Sequence, residues 1–268
     1  MRAVKTVAAN VFRESVRDRV PYNLVLFAIL LIASSYLLGQ LTAGQDIKII
    51  KDLGLAATSI FGLFIAIFIG IGLVSKEVER RSIYALLAKP ISRPQFILGK
   101  YAGLVLTLAV NIGVMTLALY FVLSYMTYLA SPDSRAAWET PGVDPALLKA
   151  IVLIFVELML VTAIAVFFST FSSPILSAAL TFGVYVAGHF NTDLRDYGQV
   201  IDSPVAAGIA RVLYHALPDL SAFDIKMQVV HGISVPTGYV ATTMAYGAAY
   251  IAALLLVATF SFSRRDFK

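Results

Sequence analysis

Long apolar runs recur along the whole chain, and shorter polar stretches separate them. A helix needs about 20 residues to cross a hydrocarbon core about 30 Å thick, and these runs have that length. The pattern therefore predicts an all-α polytopic membrane protein with six transmembrane helices. The predicted spans lie at roughly 22–41, 54–75, 100–126, 149–170, 174–190 and 239–262.

The chain opens with a pattern of a different kind. Between Arg2 and Arg19, apolar residues recur at three- and four-residue spacing, and basic residues lie on the opposite side. This arrangement is typical of an amphipathic helix that lies on a membrane surface. We expect such an interfacial helix over residues 1–20, closed by Pro21.

Composition supports a membrane protein and excludes several other classes. Apolar residues make up 59% of the 268 residues and charged residues only 14%, which is atypical of a soluble domain. That length leaves room for a single transmembrane domain over 1–268. Cysteine is absent, so disulfides, thiolate metal sites and cysteine nucleophiles are excluded. No cleavable signal peptide is expected, because the first basic residues are spread among apolar ones.

Charge predicts the orientation of the spans. The two termini and the loop 76–100 carry fourteen Lys and Arg, whereas the segments on the opposite side carry seven. The positive-inside rule then places both termini and that loop in the cytoplasm, with the chain in the cytoplasmic (inner) membrane. The net charge of +5 is explained by this topology and by contact with anionic membrane lipids, so a nucleic-acid partner is not implied.

The cytoplasmic segment 76–99 has a defined local pattern. Residues 76–88 predict a helix that Pro90 must end. Ser92 and Gln95 then form a capping-box pattern at the start of the third span. A short helix, a rigid corner and a new helix make a stiff element that suits the docking of a soluble partner. The alternative is a solvated charge run that only orients the chain.

The extracytoplasmic segments also contain helix signals. Asp144 before Pro145 marks the start of the fourth span. Within 191–238, residues 203–218 repeat apolar positions at helical spacing, and a further short helix is expected from about 221 to 231, ended by Gly232. These helices either dip into or lie on the outer leaflet, or they form a lid that only joins spans five and six.

One ionisable residue, Glu157, falls well inside a predicted span. A carboxyl group in the membrane is costly and is therefore a functional candidate. It pairs with Asn111 or a serine of another span, or it lines a transport path. Glu157 also sustains the hypothesis of a proton-coupled secondary transporter. Against that hypothesis, the sequence offers no second buried ionisable residue as a relay partner.

His189, Asn191 and Asp193 gather at the outer end of the fifth span, with His215 and His231 further on. They raise the alternative of a metal site or a membrane-embedded hydrolase, but their spacing fits no compact ligand or catalytic motif. Histidines that cap helices are the commoner case. Several glycines within the spans predict close helix packing: Gly62, Gly70, Gly72, Gly103 and Gly113.

The cytoplasmic segment resembles that of a known family. Glu77, Glu79 and Arg81-Ser82 precede the stretch ALLAKPISRPQFILGKY, and STFSSP at 169–174, GHF at 188–190 and LPDLSAFD at 217–224 extend the likeness. The chain resembles the permease subunits of ABC exporters of the second type, over nearly its whole length. It looks most like the bacterial branch labelled multi-copper enzyme maturation permease, although Arg81-Ser82 departs from the usual pattern.

The resemblance implies a coupling helix that docks a separate ABC ATPase subunit. The docking residues would be Glu77, Glu79, Arg80, Arg81, Ser82, Leu86, Leu87, Pro90 and Arg93. It also implies a second permease copy, as a homodimer or with a close paralogue. The chain has no GxxxxGK[ST] phosphate loop, so it is expected to bind no cofactor itself, with ATP and Mg²⁺ on the partner. The substrate is left open between a lipid-like molecule and a small, sulfur-containing species.

Overall fold

The computed structural model describes residues 2–40, 46–79, 92–191, 208, 214 and 216–264, and this part of the chain is helical without any strand. The all-α prediction is confirmed. The helices are α1 (Arg2–Arg17), α2 (Arg19–Gln40), α3 (Asp46–Glu79), α4 (Arg93–Leu129), α5 (Pro132–Ala136), α6 (Ala146–Ser169), α7 (Pro174–His189), a 3₁₀ turn (Ser221–Phe223), α8 (Lys226–Val230) and α9 (Thr237–Arg264).

Five of these helices are long and apolar enough to cross a membrane, within the described residues: α2, α3, α4, α6 and α9. The remaining predicted span, 174–190, is the apolar helix α7, which has only 16 residues. At 1.5 Å per residue it rises about 24 Å, less than the hydrocarbon thickness of about 30 Å. The six apolar segments are therefore helices as predicted, but α7 is shorter than a complete span.

Helix α6 lies at the centre of the bundle. It packs against α3, α4, α7 and α9. In its most apolar stretch, 72% of the residues are buried, as in α3. In α9 the corresponding share is only 22%. A helix that is apolar all round belongs in such a centre, whereas the surrounding helices keep exposed apolar faces that suit a lipid environment. The core of the protein is thus the contact between α3 and α6.

The amphipathic helix α1 packs along the start of α4 through two glycines. A Cβ atom on Gly103 would lie 2.6 Å from the Ala8 carbonyl oxygen and 2.7 Å from Val11 Cβ, and Gly99 meets Val7 equally closely. The apolar side of α1 is thus used against another helix. Pro21 does not close α1 as predicted, because it lies in the first turn of α2, where a missing N–H group costs nothing.

Close packing is confirmed at two more of the predicted glycines. A Cβ on Gly62 would lie 2.4 Å from Leu158 Cδ1, and one on Gly70 would lie 2.8 Å from Ala165 Cβ, so both glycines bring α3 against α6. Gly113 has nothing within 4 Å of such a Cβ, so the prediction is wrong there. Gly72 lies outside the residues whose surroundings are described.

Lys51 of α3 holds the loop between α4 and α6, which is the loop predicted to lie outside the cell membrane. Its fully buried Nζ donates to Thr140 Oγ1 and to the Pro141 carbonyl oxygen, both at 2.8 Å, and lies 3.8 Å from Asp144 Oδ2. The sequence pattern placed Lys51 in a loop, but α3 begins at Asp46 and encloses it. Lys100 on α4 is also buried, with Nζ 4.9 Å from the Phe96 ring centroid. Glu157 is therefore not the sole buried ionisable residue in the described helices, although Lys51 precedes the predicted span 54–75 and Lys100 is the first residue of the predicted span 100–126.

Two predicted helix starts are confirmed. Asp144 Oδ1 accepts a hydrogen bond from the Ala146 N–H at 2.8 Å and so satisfies a free donor at the start of α6. At the start of α4, Gln95 Oε1 accepts from the Ser92 N–H at 3.3 Å. Both spans therefore begin where local sequence signals place them.

The packing of α1 on α4 yields a stability prediction. Gly103→Ala should lower the free energy of unfolding by about 1–3 kcal/mol, because the new methyl group meets backbone and cannot be accommodated without a shift of α1. Thermal unfolding in lipid nanodiscs measures this. The matched control on the same helix is Gly113→Ala, which has open space for the methyl group and should stabilise the protein by up to about 1 kcal/mol through helix propensity. Equal effects of the two changes would contradict the packing of α1 on α4.

The outer loop yields a pH prediction. Glu139 Oε2 lies 2.6 Å from Lys48 Nζ, and the hydrogen bond and charge of Lys48 lower the pKa of Glu139 below 4.5. A lowered pKa means that the contact is intact at neutral pH and is lost as the pH falls through the folded-state value. Trp138, the sole tryptophan, directly precedes Glu139 in the chain. Its fluorescence emission should therefore change only below about pH 4.5. Glu139→Gln should abolish the change, and a change retained in that variant would contradict the assignment.

Candidate functional site

Glu157 lies in the middle of α6 and is 1% exposed. Its Oε1 is 3.3 Å from Nε2 of His189, the last residue of α7. The two atoms are within ion-pair distance, but the contact lacks the alignment of a hydrogen bond, so Oε1 has no hydrogen bond within the described part of the chain. A small movement of α6 or α7 could therefore form or break a hydrogen bond between this carboxyl group and His189.

The other ring nitrogen of His189 decides where protons can lie. Nδ1 is 3.1 Å from the Tyr185 carbonyl oxygen, and the two rings are 4.5 Å apart. A carbonyl oxygen only accepts, so Nδ1 must carry a hydrogen. Nε2 is then the ring nitrogen that faces Glu157 Oε1.

Two further charges influence Glu157. Lys226 and Asp224 are the charged groups with the strongest electrostatic influence on it, and their own Nζ and Oδ2 atoms are 3.3 Å apart. Both belong to the segment that follows the 3₁₀ turn. The polar centre therefore combines the buried Glu157 of α6 with partly exposed ionisable side chains of α7 and of the segment before α9.

The segment 217–231 fits against the outer end of α7. The Leu220 N–H donates to the Gly188 carbonyl oxygen at 3.0 Å, and a Cβ on Gly188 would lie 2.8 Å from Leu220 Cγ. Leu220 and Phe223 are fully buried. The 3₁₀ turn packs on α6, and α8 packs on α3 and α6. This segment is therefore packed structure that continues beyond the short helix α7.

The short helix predicted from about 221 to 231 is confirmed as the 3₁₀ turn followed by α8. Gly232, with φ of 70°, ends α8 as predicted. Its N–H donates to the Val229 carbonyl oxygen at 3.2 Å, and the Ile233 N–H donates to that of Gln228 at 2.8 Å, which is a Schellman motif. The predicted helix 203–218 lies mostly outside the described residues.

A polar cleft of about 450 Å³ opens beside this centre, between α9 and the segment 217–222. Asn191, directly after α7, forms one wall, and Asp219 forms another. The side of α9 that faces the cleft carries a polar stripe: Thr242, Thr243, Tyr246 and Tyr250. The Tyr246 hydroxyl accepts from the Asp219 N–H at 2.8 Å. The sequence analysis missed this stripe, although its three- and four-residue spacing within a predicted span is the signal that reveals it.

The predicted polar partners of Glu157 are corrected. Asn111 Nδ2 donates to the Thr107 carbonyl oxygen of its own helix at 2.8 Å, so the amide is satisfied locally and does not pair with Glu157. The pairing was missed because His189 lies at the end of a different helix, and only the tertiary fold brings α7 beside α6.

The outer-end cluster is only partly brought together. His189 turns to Glu157 while Asn191 lines the cleft, and Asp193 and His215 lie outside the described residues. His231 Nδ1 is 3.0 Å from the Met227 carbonyl oxygen at the end of α8, as expected of a histidine that caps a helix. Within the described ranges, no group of three or more His, Cys, Asp or Glu side chains could hold a metal ion.

The predicted docking residues flank a gap in the described chain. The helix α3 continues through Glu77 and Glu79, beyond the predicted end of its span at 75. Arg80, Arg81, Ser82, Leu86, Leu87 and Pro90 lie outside the described residues. Arg93, the first residue of α4, donates from Nη1 to the Ser263 carbonyl oxygen near the end of α9, and the Phe96 and Phe262 rings stack 5.9 Å apart. Arg93 therefore also ties α4 to α9.

A bundle of apolar helices around buried ionisable groups is the architecture of an integral membrane transport protein. Residues 5–267 match the family described as ABC-2 family transporter protein. The chain belongs to this family and is thus the transmembrane permease component of an ABC transporter, which confirms the resemblance seen in the sequence. The multi-copper enzyme maturation label stays a prediction. No curated protein matches the chain.

Family membership decides between the alternatives. A permease of this family is a transport subunit and not a hydrolase, and its transport is that of an ABC transporter. The sequence argument against proton coupling was that Glu157 has no second ionisable residue beside it, and His189 shows this argument to be wrong. The family match, and not the lack of a relay partner, therefore carries the assignment.

The contact between α6 and α7 can be tested by a double-mutant cycle. Glu157→Gln and His189→Phe should each destabilise the protein, and the double variant should be less destabilised than the sum, with a coupling of about 0.5–3 kcal/mol. The reason is that the second change removes a group that has already lost its partner. The measurement is thermal unfolding in nanodiscs.

The control cycle combines Glu157→Gln with Asn111→Ala. Because Asn111 bonds within its own helix, these two changes should be additive. Additivity in the Glu157 and His189 cycle would contradict their contact.

Proposed function

We propose that this chain is the permease subunit of an ATP-driven exporter, powered by a separate ATPase subunit that docks on residues 76–93. The observation that carries the proposal is the family match over 5–267. Three further features support it, namely the basic character of this segment, the stiff local pattern in its sequence and the continuity of α3 through Glu79.

The helix α3 has the form of a lever. It contains 34 residues without a break and is therefore about 51 Å long. Its outer end is held by Lys51, and its middle contacts α6 through Gly62, next to Leu158. Leu158 is the neighbour of Glu157 in the chain. A displacement of α3 at the docking segment would therefore reach α6 at the level of the polar centre.

The other side of the docking segment is braced. Helix α4 begins at Arg93, which bonds to α9, and Gly99 and Gly103 hold it to α1. A force on the segment would thus move α3, α4, α1 and the end of α9 as connected elements. Closure of the ATPase on ATP would favour one transporter state over another through its different contacts with this segment in the two states.

The remaining components follow from the same proposal. Two permease copies, identical or closely related, would work with two ATPase subunits that hold ATP and Mg²⁺. Both termini would be cytoplasmic in the inner membrane, in accordance with fourteen basic residues on that side and seven on the other. The transported molecule would move outward and would be either lipid-like or a small, sulfur-containing species.

Charge reversal tests the docking segment. Glu79→Lys should reduce recovery of the ATPase subunit with affinity-purified permease by at least about tenfold, because it opposes complementary charges across an interface. Membrane insertion and thermal stability of the permease should be unchanged. The matched control is Asp133→Lys, an exposed acidic residue on the opposite side. ATPase recovery and ATP turnover that are equal in the two variants would contradict docking at this segment.

A further inference from the structure

The cleft between α9 and the segment 217–222 is separate from the docking segment and from the Glu157–His189 contact. Its volume of about 450 Å³ falls within the range of small-molecule sites, which is about 300–1,000 Å³. The walls are polar on the side of Asn191 and Asp219 and aromatic on the side of α9. The chemistry of these lining residues indicates which kind of ligand the cleft could bind.

The charge of the lining is acidic. Asp219 is the sole charged residue among the described lining residues, and no lysine or arginine faces the cleft there. Its Oδ1 accepts from the Ser221 N–H at 3.1 Å and from Ser221 Oγ at 2.6 Å. These bonds fix the carboxylate and leave Oδ2 without a hydrogen bond from any described residue. Among the described lining residues, a cation would find a counter-charge and an anion would not.

Asn191 supplies a second acceptor. The residue is 4% exposed, and its Oδ1 has no hydrogen bond within the described residues although it lines the cleft. Buried polar atoms are nearly always paired, because a buried atom left unpaired costs about 1–3 kcal/mol. Asn191 therefore holds, next to the cleft, a buried acceptor that lacks a donor.

The aromatic wall favours the same kind of ligand. The Tyr246 and Tyr250 rings lie 4.9 Å apart at an interplanar angle of 57°, and Tyr214 adds a third ring to the lining. The faces of such rings attract cations, and more strongly where water is excluded. Carboxylate, amide oxygen and aromatic rings thus converge on one cavity.

We propose that this cleft binds a primary ammonium group. An ammonium has three donors and no acceptor, so it can bond to Asp219 Oδ2 while resting on the tyrosine rings. It can also bond to Asn191 Oδ1 once that side chain turns toward the cleft. A free small amine and the ethanolamine headgroup of a lipid share this chemistry. The site lies in one permease copy and stands independently of ATPase docking.

The probe for this test is n-propylammonium, added to the full-length protein in phosphatidylglycerol nanodiscs that contain no other amine. Saturation-transfer NMR should show binding of the ammonium and no comparable binding of its neutral and anionic analogues, n-butanol and butyrate. Asp219→Asn should weaken binding by about tenfold or more, because it removes the charge but keeps the bonds from Ser221. The matched control, Asp133→Asn, should bind as the wild type does.

Two outcomes would overturn the proposal: n-butanol that binds as well as n-propylammonium, or wild-type affinity in Asp219→Asn. Nanodiscs that contain phosphatidylethanolamine distinguish the two sources of ammonium. If the lipid headgroup occupies the cleft, the apparent affinity for n-propylammonium should fall in those nanodiscs. If the site takes free amines only, the affinity should stay the same.

A labelling experiment tests the charge of the cleft without altering Asp219. The chain has no cysteine, so Thr242→Cys introduces a single thiol at the exposed rim of the cleft. An ammonium-bearing methanethiosulfonate should react with it faster than a sulfonate-bearing one by about tenfold, whereas Ser134→Cys in the outer loop should show a smaller ratio. Excess n-propylammonium should slow labelling at position 242 only. Equal ratios at the two positions would contradict an ammonium site.

Discussion

Polar groups within a bilayer must find their partners inside the protein, because hydrocarbon offers neither donors nor acceptors. The main polar contacts of this structure follow from that constraint. Lys51 is buried only because Thr140 and Pro141 receive its hydrogen bonds, and the outer loop is thereby fixed in place. The same constraint brings His189 to Glu157, although there the match is incomplete, since Oε1 has no aligned hydrogen bond. A fully satisfied pair holds the fold, and an incompletely satisfied one is free to respond to movement.

The apolar framework determines which movements can occur. Glycines allow α3 to approach α6 closely, and side chains at Gly62 and Gly70 would force the two helices apart. Helix α4 is fastened at its first turns to α1 and to α9. The segment that joins α3 to α4 is therefore connected through α3 to the buried helix α6, and through α4 to the peripheral helices α1 and α9. An energy-supplying partner seated there would act on both at once.

The half of the protein that contains the end of α7 is arranged differently from the half that contains the start of α4. Helix α7 ends early, and the segment 217–231 packs against its end, so that backbone and polar side chains occur where a complete span would present only apolar ones. Irregular backbone within a membrane protein is tolerated where it is buried in protein or lines a cavity. Both conditions hold here: Leu220 and Phe223 are buried, and Asp219 lines the cleft beside α9. The short helix thus creates the room in which Glu157, His189 and the cleft come close to one another.

Local patterns along the chain determined the class of protein, the helices and several of their ends. Apolar runs predict the spans because each residue's preference for lipid is independent of its neighbours in space. Asp144, Gln95 and Gly232 mark helix ends because capping is a contact between residues a few positions apart. Charge along the chain predicts orientation for the same reason.

Only the tertiary structure decided the contacts between segments that are distant in the sequence. His189 meets Glu157, Lys51 meets Thr140, and the stripe on α9 meets Asn191 and Asp219, each across tens of residues. No local spacing encodes such pairs, because they depend on how the helices pack and where each one stops. For the same reason the sequence offered Asn111 as one of several candidate partners of Glu157 and placed Lys51 in a loop. In the structure Asn111 bonds within its own helix, and Lys51 is enclosed by packing.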